Sequence, residues 1–143
     1  DTPFDAVAID IENAGDYLLC VGMTPLMFDT GEIGKTLCLP FRTRGGSQYW
    51  RTRDELVEAV ERLNFLLSEP AITKVFHFGL LHDVPFLRRL GFDVEGRIVD
   101  TAALAHTAFT ELPKGLQFNA TLYCGAPVWK KLVEEDDDME GKT

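Results

Sequence analysis

The chain opens as short apolar runs separated by turn-rich polar stretches. Asp5 to Ile11, Tyr17 to Met23 and Lys35 to Phe41 are β-prone runs, joined through Asn13 to Asp16 and Asp29 to Gly34. Links this short predict three strands in an antiparallel meander. The period then changes. Thr52 with Glu55 three residues on has the form of a capping box, followed by Leu56, Val57, Val60, Leu63, Leu66 and Leu67 at helical spacing, with Pro70 closing the helix. Ala71 to Phe78 reads as a fourth strand, and Leu81 to Leu90 as a helix stopped by Gly91. Ile98-Val99 is a short fifth strand, Ala102 to Phe109 an alanine-rich helix, and Leu116 to Tyr123 a last helical segment ending near Gly125. Helices between the later strands predict an α/β fold with a mixed sheet: three antiparallel strands, then parallel strands joined by helical crossovers. No repeat or linker divides the chain, so residues 1–143 are expected to form one domain.

Two acidic residues end the first apolar run. Strand side chains alternate between faces, so Asp10 and Glu12 project on the same side at the strand's end. Two carboxylates so close repel each other unless a cation lies between them, and Mg²⁺ is a hard ion that prefers such oxygens. The plainer reading is a strand that meets solvent in polar residues, and one D-x-E match does not decide between them. Asp83 supplies the next clue, because it stands early in a helix just after a strand. Ligands of open sheets collect where strands give way to helices. If the fourth strand lies parallel to and beside the first, Asp83 faces Asp10 and Glu12; an acidic residue is also favoured there by the helix dipole alone.

Composition narrows the class. With 45% hydrophobic residues, ten of them Phe, the 143-residue chain can bury a core. No apolar run approaches the roughly 20 residues that span a bilayer, and the start lacks a basic signal-peptide region, so a soluble, intracellular, cytoplasmic protein without membrane partners is expected. Cys20, Cys38 and Cys124 are too scattered for a disulfide framework or zinc knuckle, and Cys20 and Cys38 are expected to be reduced core residues. A net charge of −9 argues against a general polyanion-binding surface, yet metal-bound carboxylates can approach phosphate through their cations. Six carboxylates within Glu134 to Glu140 suggest a solvated acidic loop or tail over 133–143.

Taken in order, these segments resemble the DEDD or DnaQ-like 3′ to 5′ exonucleases, which include polymerase proofreading domains and RNase D. AIDIE at 8–12 is similar to the first exonuclease motif, HFGLLHDVPFLRRLGF at 77–92 to the second, and VDTAALAH at 99–106 to the segment after it. ELPKGLQFNATLYCG resembles the helical segment before the third motif in phage and bacterial polymerase-type members. The resemblance implies an RNase H-like fold, with Asp10, Glu12 and Asp83 as catalytic metal ligands for two Mg²⁺ or Mn²⁺ ions roughly 3.5–4 Å apart. It further implies removal of nucleotides from the 3′ end of single-stranded nucleic acid, DNA in the first instance, beside a polymerase domain or subunit.

Departures from that pattern mark the open points. The third motif's Tyr or His and its fourth carboxylate are not found: Tyr123 is followed four residues on by Pro127 and His106 by Thr110, and Asp136 to Asp138 lack an apolar helical setting. The domain is therefore expected to be incomplete at its C-terminal end. Relatives place Asn where this chain has Gly79. Asp100 before the alanine-rich helix suits an N-cap better than a metal ligand. Candidate substrate contacts are His82, Phe86, Tyr49 and Arg44, the last two in an Arg- and aromatic-rich loop that could bind phosphates and unstacked bases or simply be solvated and folded onto the core. His82 reads more readily as a surface helix residue than as a substrate contact, and His77 as a packed or edge residue. A catalytically silent RNase H-like module that binds nucleic acid or protein is the alternative, and an unrelated acidic α/β domain a third; the latter requires Asp83 to lie far from Asp10.

Overall fold

Five strands form one sheet in the order β3-β2-β1-β4-β5 in the computed structural model, which describes residues 4–43 and 45–129. β1 (Ala6–Ala14), β2 (Tyr17–Leu26) and β3 (Leu37–Pro40) make the antiparallel meander, and β4 (Thr73–Phe76) and β5 (Ile98–Asp100) extend it in parallel from the other edge of β1. β1 is thus the central strand. Its Ala6, Val7 and Ile9 are all buried, as expected for a strand covered on both faces, and polar residues begin only at Asp10, where the cover ends.

α1 (Arg53–Ser68) and α2 (Asp83–Arg89) are the helices of the first of two compact units, residues 1–101. α1 starts with the expected capping box: Thr52 Oγ1 accepts from Glu55 N (3.2 Å), and Glu55 Oε2 accepts from Thr52 N and Arg51 N (3.0 Å each). Its buried stripe is Ala59, Leu63 and Leu67, flanked by Leu56 and Leu66. Val57 and Val60 fall outside it and are exposed, a correction to the apolar face expected from spacing. Lys74 is fully buried within β4, its Nζ donating to the carbonyls of Glu69 and Glu95, which is how a charged residue sits among core strands.

The second unit, residues 102–143, contains most of α3 (Thr101–Ala108) and all of α4 (Leu116–Cys124), whose end is closed by Gly125 at φ 64° with its N–H on the Thr121 carbonyl. The acidic run 134–140 lies outside the described residues. Cys38 is exposed and Cys20 half-buried, so Cys38 is not the core residue its apolar neighbours suggested; β3 is an edge strand. No described helix is long and apolar enough to cross a membrane.

Candidate functional site

β1 leaves the core at Ile9, and beyond it Asp10 and Glu12 lie exposed on one face. A bulge between Glu12 and Asn13 shifts the pairing with β2, so Glu12 stands opposite Cys20 while Asn13 stands opposite Leu18. Among the described residues the side chain of neither Asp10 nor Glu12 has a hydrogen bond or ion pair, so both keep their carboxylate oxygens free. β4 runs parallel beside β1 in the register Ala8–Val75, and the chain leaving it returns to β1 through α2. There Asp83 Oδ1 accepts from Ile11 N at 3.3 Å, across 72 positions of sequence. The α2 carboxylate therefore rests on the strand backbone between Asp10 and Glu12.

The turn that makes this return is strained and heavily tied. Phe78 holds φ 61°, a left-handed conformation that is unfavourable for a bulky side chain. Asp100, buried at the end of β5, stabilises it: Oδ1 accepts from Phe78 N (3.0 Å) and Oδ2 from Leu80 N (3.1 Å). Asp100 is therefore committed to backbone amides. Gly79 has no room for a side chain, because a Cβ would lie 2.1 Å from Phe76 Cβ and 2.4 Å from its Cγ. The Asn of related motifs cannot occupy that position here without moving a core phenylalanine. Beside the turn, Thr101 Oγ1 donates to the Phe76 carbonyl (3.1 Å) and lies 2.8 Å from His77 Nδ1. A hydroxyl has one proton, so His77 Nδ1 donates, and Nε2 is buried with no hydrogen-bond partner among the described residues.

A cavity of about 440 Å³ opens over these residues, lined among others by Asp10, His77, His82, Asp83, Phe86 and Arg89. Burial pushes the Asp83 carboxyl above the usual carboxylate range; the Ile11 hydrogen bond opposes this, and the Asp10 charge adds to it. The field is negative on the neighbouring strand too. Burial first, then Cys38, Glu12 and Asp10, push the Cys20 thiol up to about 11. The free oxygens of Asp10 and Glu12, and a carboxyl whose charged form is disfavoured by burial, suit a hard divalent cation. Among the described residues no three such ligands are already drawn together closely enough to hold one.

Of the residues singled out from sequence, Asp10, Asp83, His82 and Phe86 meet at this cavity. Glu12 shares the Asp10 face without lining it. Phe86 is only 7% exposed, so little of its ring is available. Tyr49 is exposed on the loop before α1 and does not line the cavity; its neighbour Trp50 packs against the core, which splits the two readings of that loop. Arg44 lies outside the described residues. Sequence reasoning left out His77 and missed Arg89. The latter was visible in principle, three residues after Phe86 on the same helix.

No protein-family model matches the chain, and no curated protein does. Solved structures do. A nuclease in its apo form superimposes with a TM-score of 0.62 at 20% identity, over 86% of this chain and 53% of that one. Brucella melitensis NrnC with bound Mg²⁺ gives 0.59 at 22%, over 88% and 56%, and NrnC bound to pGG gives 0.57 at 22%, over 88% and 55%. The fold is RNase H-like. At this identity the likeness is one of fold, and the chain spans about half the length of the structures it matches.

Proposed function

We propose that this chain carries the core of a divalent-metal-dependent 3′ to 5′ exonuclease acting on single-stranded nucleic acid, with DNA as the first substrate to try. One observation carries the reading: the Asp83 carboxylate hydrogen-bonds the β1 backbone between Asp10 and Glu12. Carboxylates from a strand end and a helix thereby share one edge of the sheet, at a cavity. The fold neighbours support it, since they are nucleases and one was solved with bound Mg²⁺. Asp10, Glu12 and Asp83 would hold Mg²⁺ or Mn²⁺, the exposed Asp10 and Glu12 side chains turning to do so. The bound ions supply water activation and stabilise charge on the departing 3′ oxygen.

The rest of the work falls to the chain. The buried Phe86 ring and the Phe78 turn line one side of the cavity, giving it an apolar wall beside the carboxylates. The Ile11 amide keeps the Asp83 oxygen aimed at the strand. His82, exposed at the start of α2, is placed to touch an entering strand. The resemblance to proofreading domains makes a polymerase domain or subunit the proposed partner.

A second reading has its own support. Asp10 and Asp83 are the only carboxylates among the described residues lining the cavity, and a silent RNase H-like module that binds without cutting fits that count. The test is release of mononucleotides from 3′-labelled single-stranded DNA and RNA with Mg²⁺ or Mn²⁺, by the protein and by Asp10→Ala. Release that falls to background in the variant supports the exonuclease. Metal-dependent binding without release moves the chain to the silent module, and release unchanged by the substitution sinks the site.

A further inference from the structure

We infer that Arg89 binds a backbone phosphate of the nucleic acid strand other than the one at the bond to be cut; the inference rests on the exonuclease reading above and adds its substrate contact. Asp83, Phe86 and Arg89 follow one another at three-residue steps along α2, and all three line the cavity. Six residues of helix separate Asp83 from Arg89, about 9 Å along the axis. That offset sets the guanidinium apart from the carboxylate end of the helix. A guanidinium there meets a phosphate other than the one addressed by the carboxylates.

Charge points the same way. The cavity holds Asp10 and Asp83, the whole chain carries −9, and a polyanion must still enter. Arg89 is the only Arg or Lys among the described residues lining the cavity. Its guanidinium lies over the Phe86 ring, 5.1 Å from the centroid, and Phe86 is buried, so the planar fork is held in place before any ligand arrives. Its other partner is replaceable. Asp16, in the turn between β1 and β2, accepts from Arg89 at 3.2 Å, with side-chain exposures of 61% for Arg89 and 89% for Asp16. An ion pair so exposed contributes little and is screened by salt, whereas a phosphate can take the fork with two charge-assisted bonds. Asp16 thus acts as a stand-in for the phosphate.

The ligand class follows: a phosphodiester-linked strand with at least two internucleotide phosphates. The experiment measures binding of d(T)₂, with one phosphate, and d(T)₄, with three, by fluorescence anisotropy in Ca²⁺ and in EDTA. Arg89→Ala is expected to weaken d(T)₄ about tenfold and leave d(T)₂ within about twofold, lowering the salt slope for d(T)₄ by about 0.7. Arg89→Lys should recover part of the loss. Asp16→Ala frees the guanidinium and should tighten d(T)₄ by about two- to threefold, a gain that damaged folding cannot produce. Equal losses on both lengths, no loss at all, or no gain in Asp16→Ala overturns the inference. Asp10→Ala keeps the two readings apart: if it binds as the wild type does in Ca²⁺, the metal site fails, while the length dependence in EDTA still decides Arg89. Binding of neither length by the wild type overturns both.

Discussion

The two helices that follow loops in the first unit begin in opposite ways. α1 is entered through a complete capping box, in which Thr52 and Glu55 satisfy each other's backbone amides at 3.0–3.2 Å. α2 has no side-chain cap: His82 stands at its N-terminus with φ −121° and ψ −72°, preceded by the left-handed Phe78. Its first residue, Asp83, sends its carboxylate to another strand. α1 opens by the local rules and packs an apolar stripe, whereas α2 lacks a side-chain cap and borders a cavity containing a desolvated acid. Strain and disfavoured charge persist only where the surroundings over-determine them, and both fall beside the cavity proposed above as the site.

The contrast can be broken from either side. The largest stability effect is expected at Asp100, because Asp100→Ala strands two amides and releases a strained turn; a loss of about 3 kcal/mol in urea unfolding is expected. Gly79→Ala forces a methyl against Phe76 and should cost about 2 kcal/mol, with metal affinity falling as the α2 entry shifts. Thr52→Ala removes the α1 cap and should cost about 1 kcal/mol while leaving metal and oligonucleotide binding unchanged. If the cap variant disturbs binding as much as the turn variants do, the division between the two regions is wrong.

Asp83→Asn should act in the opposite direction. The raised pKa of Asp83 means that the folded protein holds this proton more readily than the unfolded chain, so stability from this group is present in acid and lost as pH rises through the raised value. The amide keeps an oxygen for Ile11 N and never ionises. The metal-free variant should therefore melt a few degrees higher than the wild type at neutral pH, with the difference vanishing in acid, and should no longer gain stability from Mn²⁺.

Much of this was legible in the sequence, and what was not shares a cause. The meander, the Thr52 capping box and the Asp10–Glu12 pair are written within a few residues of each other, where strand and helix periods apply directly. The parallel placement of β4 beside β1 followed from the intervening helix, and with it the approach of Asp83. By contrast, the hold of Asp100 on Phe78 and Leu80 spans 20–22 positions, and the exclusion of a side chain at Gly79 depends on where Phe76 sits once the turn is strained. Exposure at Val57, Val60 and Cys38 likewise depends on which neighbours cover a face or leave an edge open, which apolar spacing does not encode.

The central claim is that Asp10 and Asp83, from a strand and a helix 72 positions apart in their contact, serve one cation site. Titration calorimetry with Mn²⁺ tests it most directly, on the wild type, Asp10→Ala and Asp83→Ala, with Thr52→Ala as the control. The account predicts carboxylate-dependent binding that falls at least about tenfold in each acidic variant and is unchanged in the control. Wild-type binding that survives both acidic substitutions, or no binding at all, would contradict it.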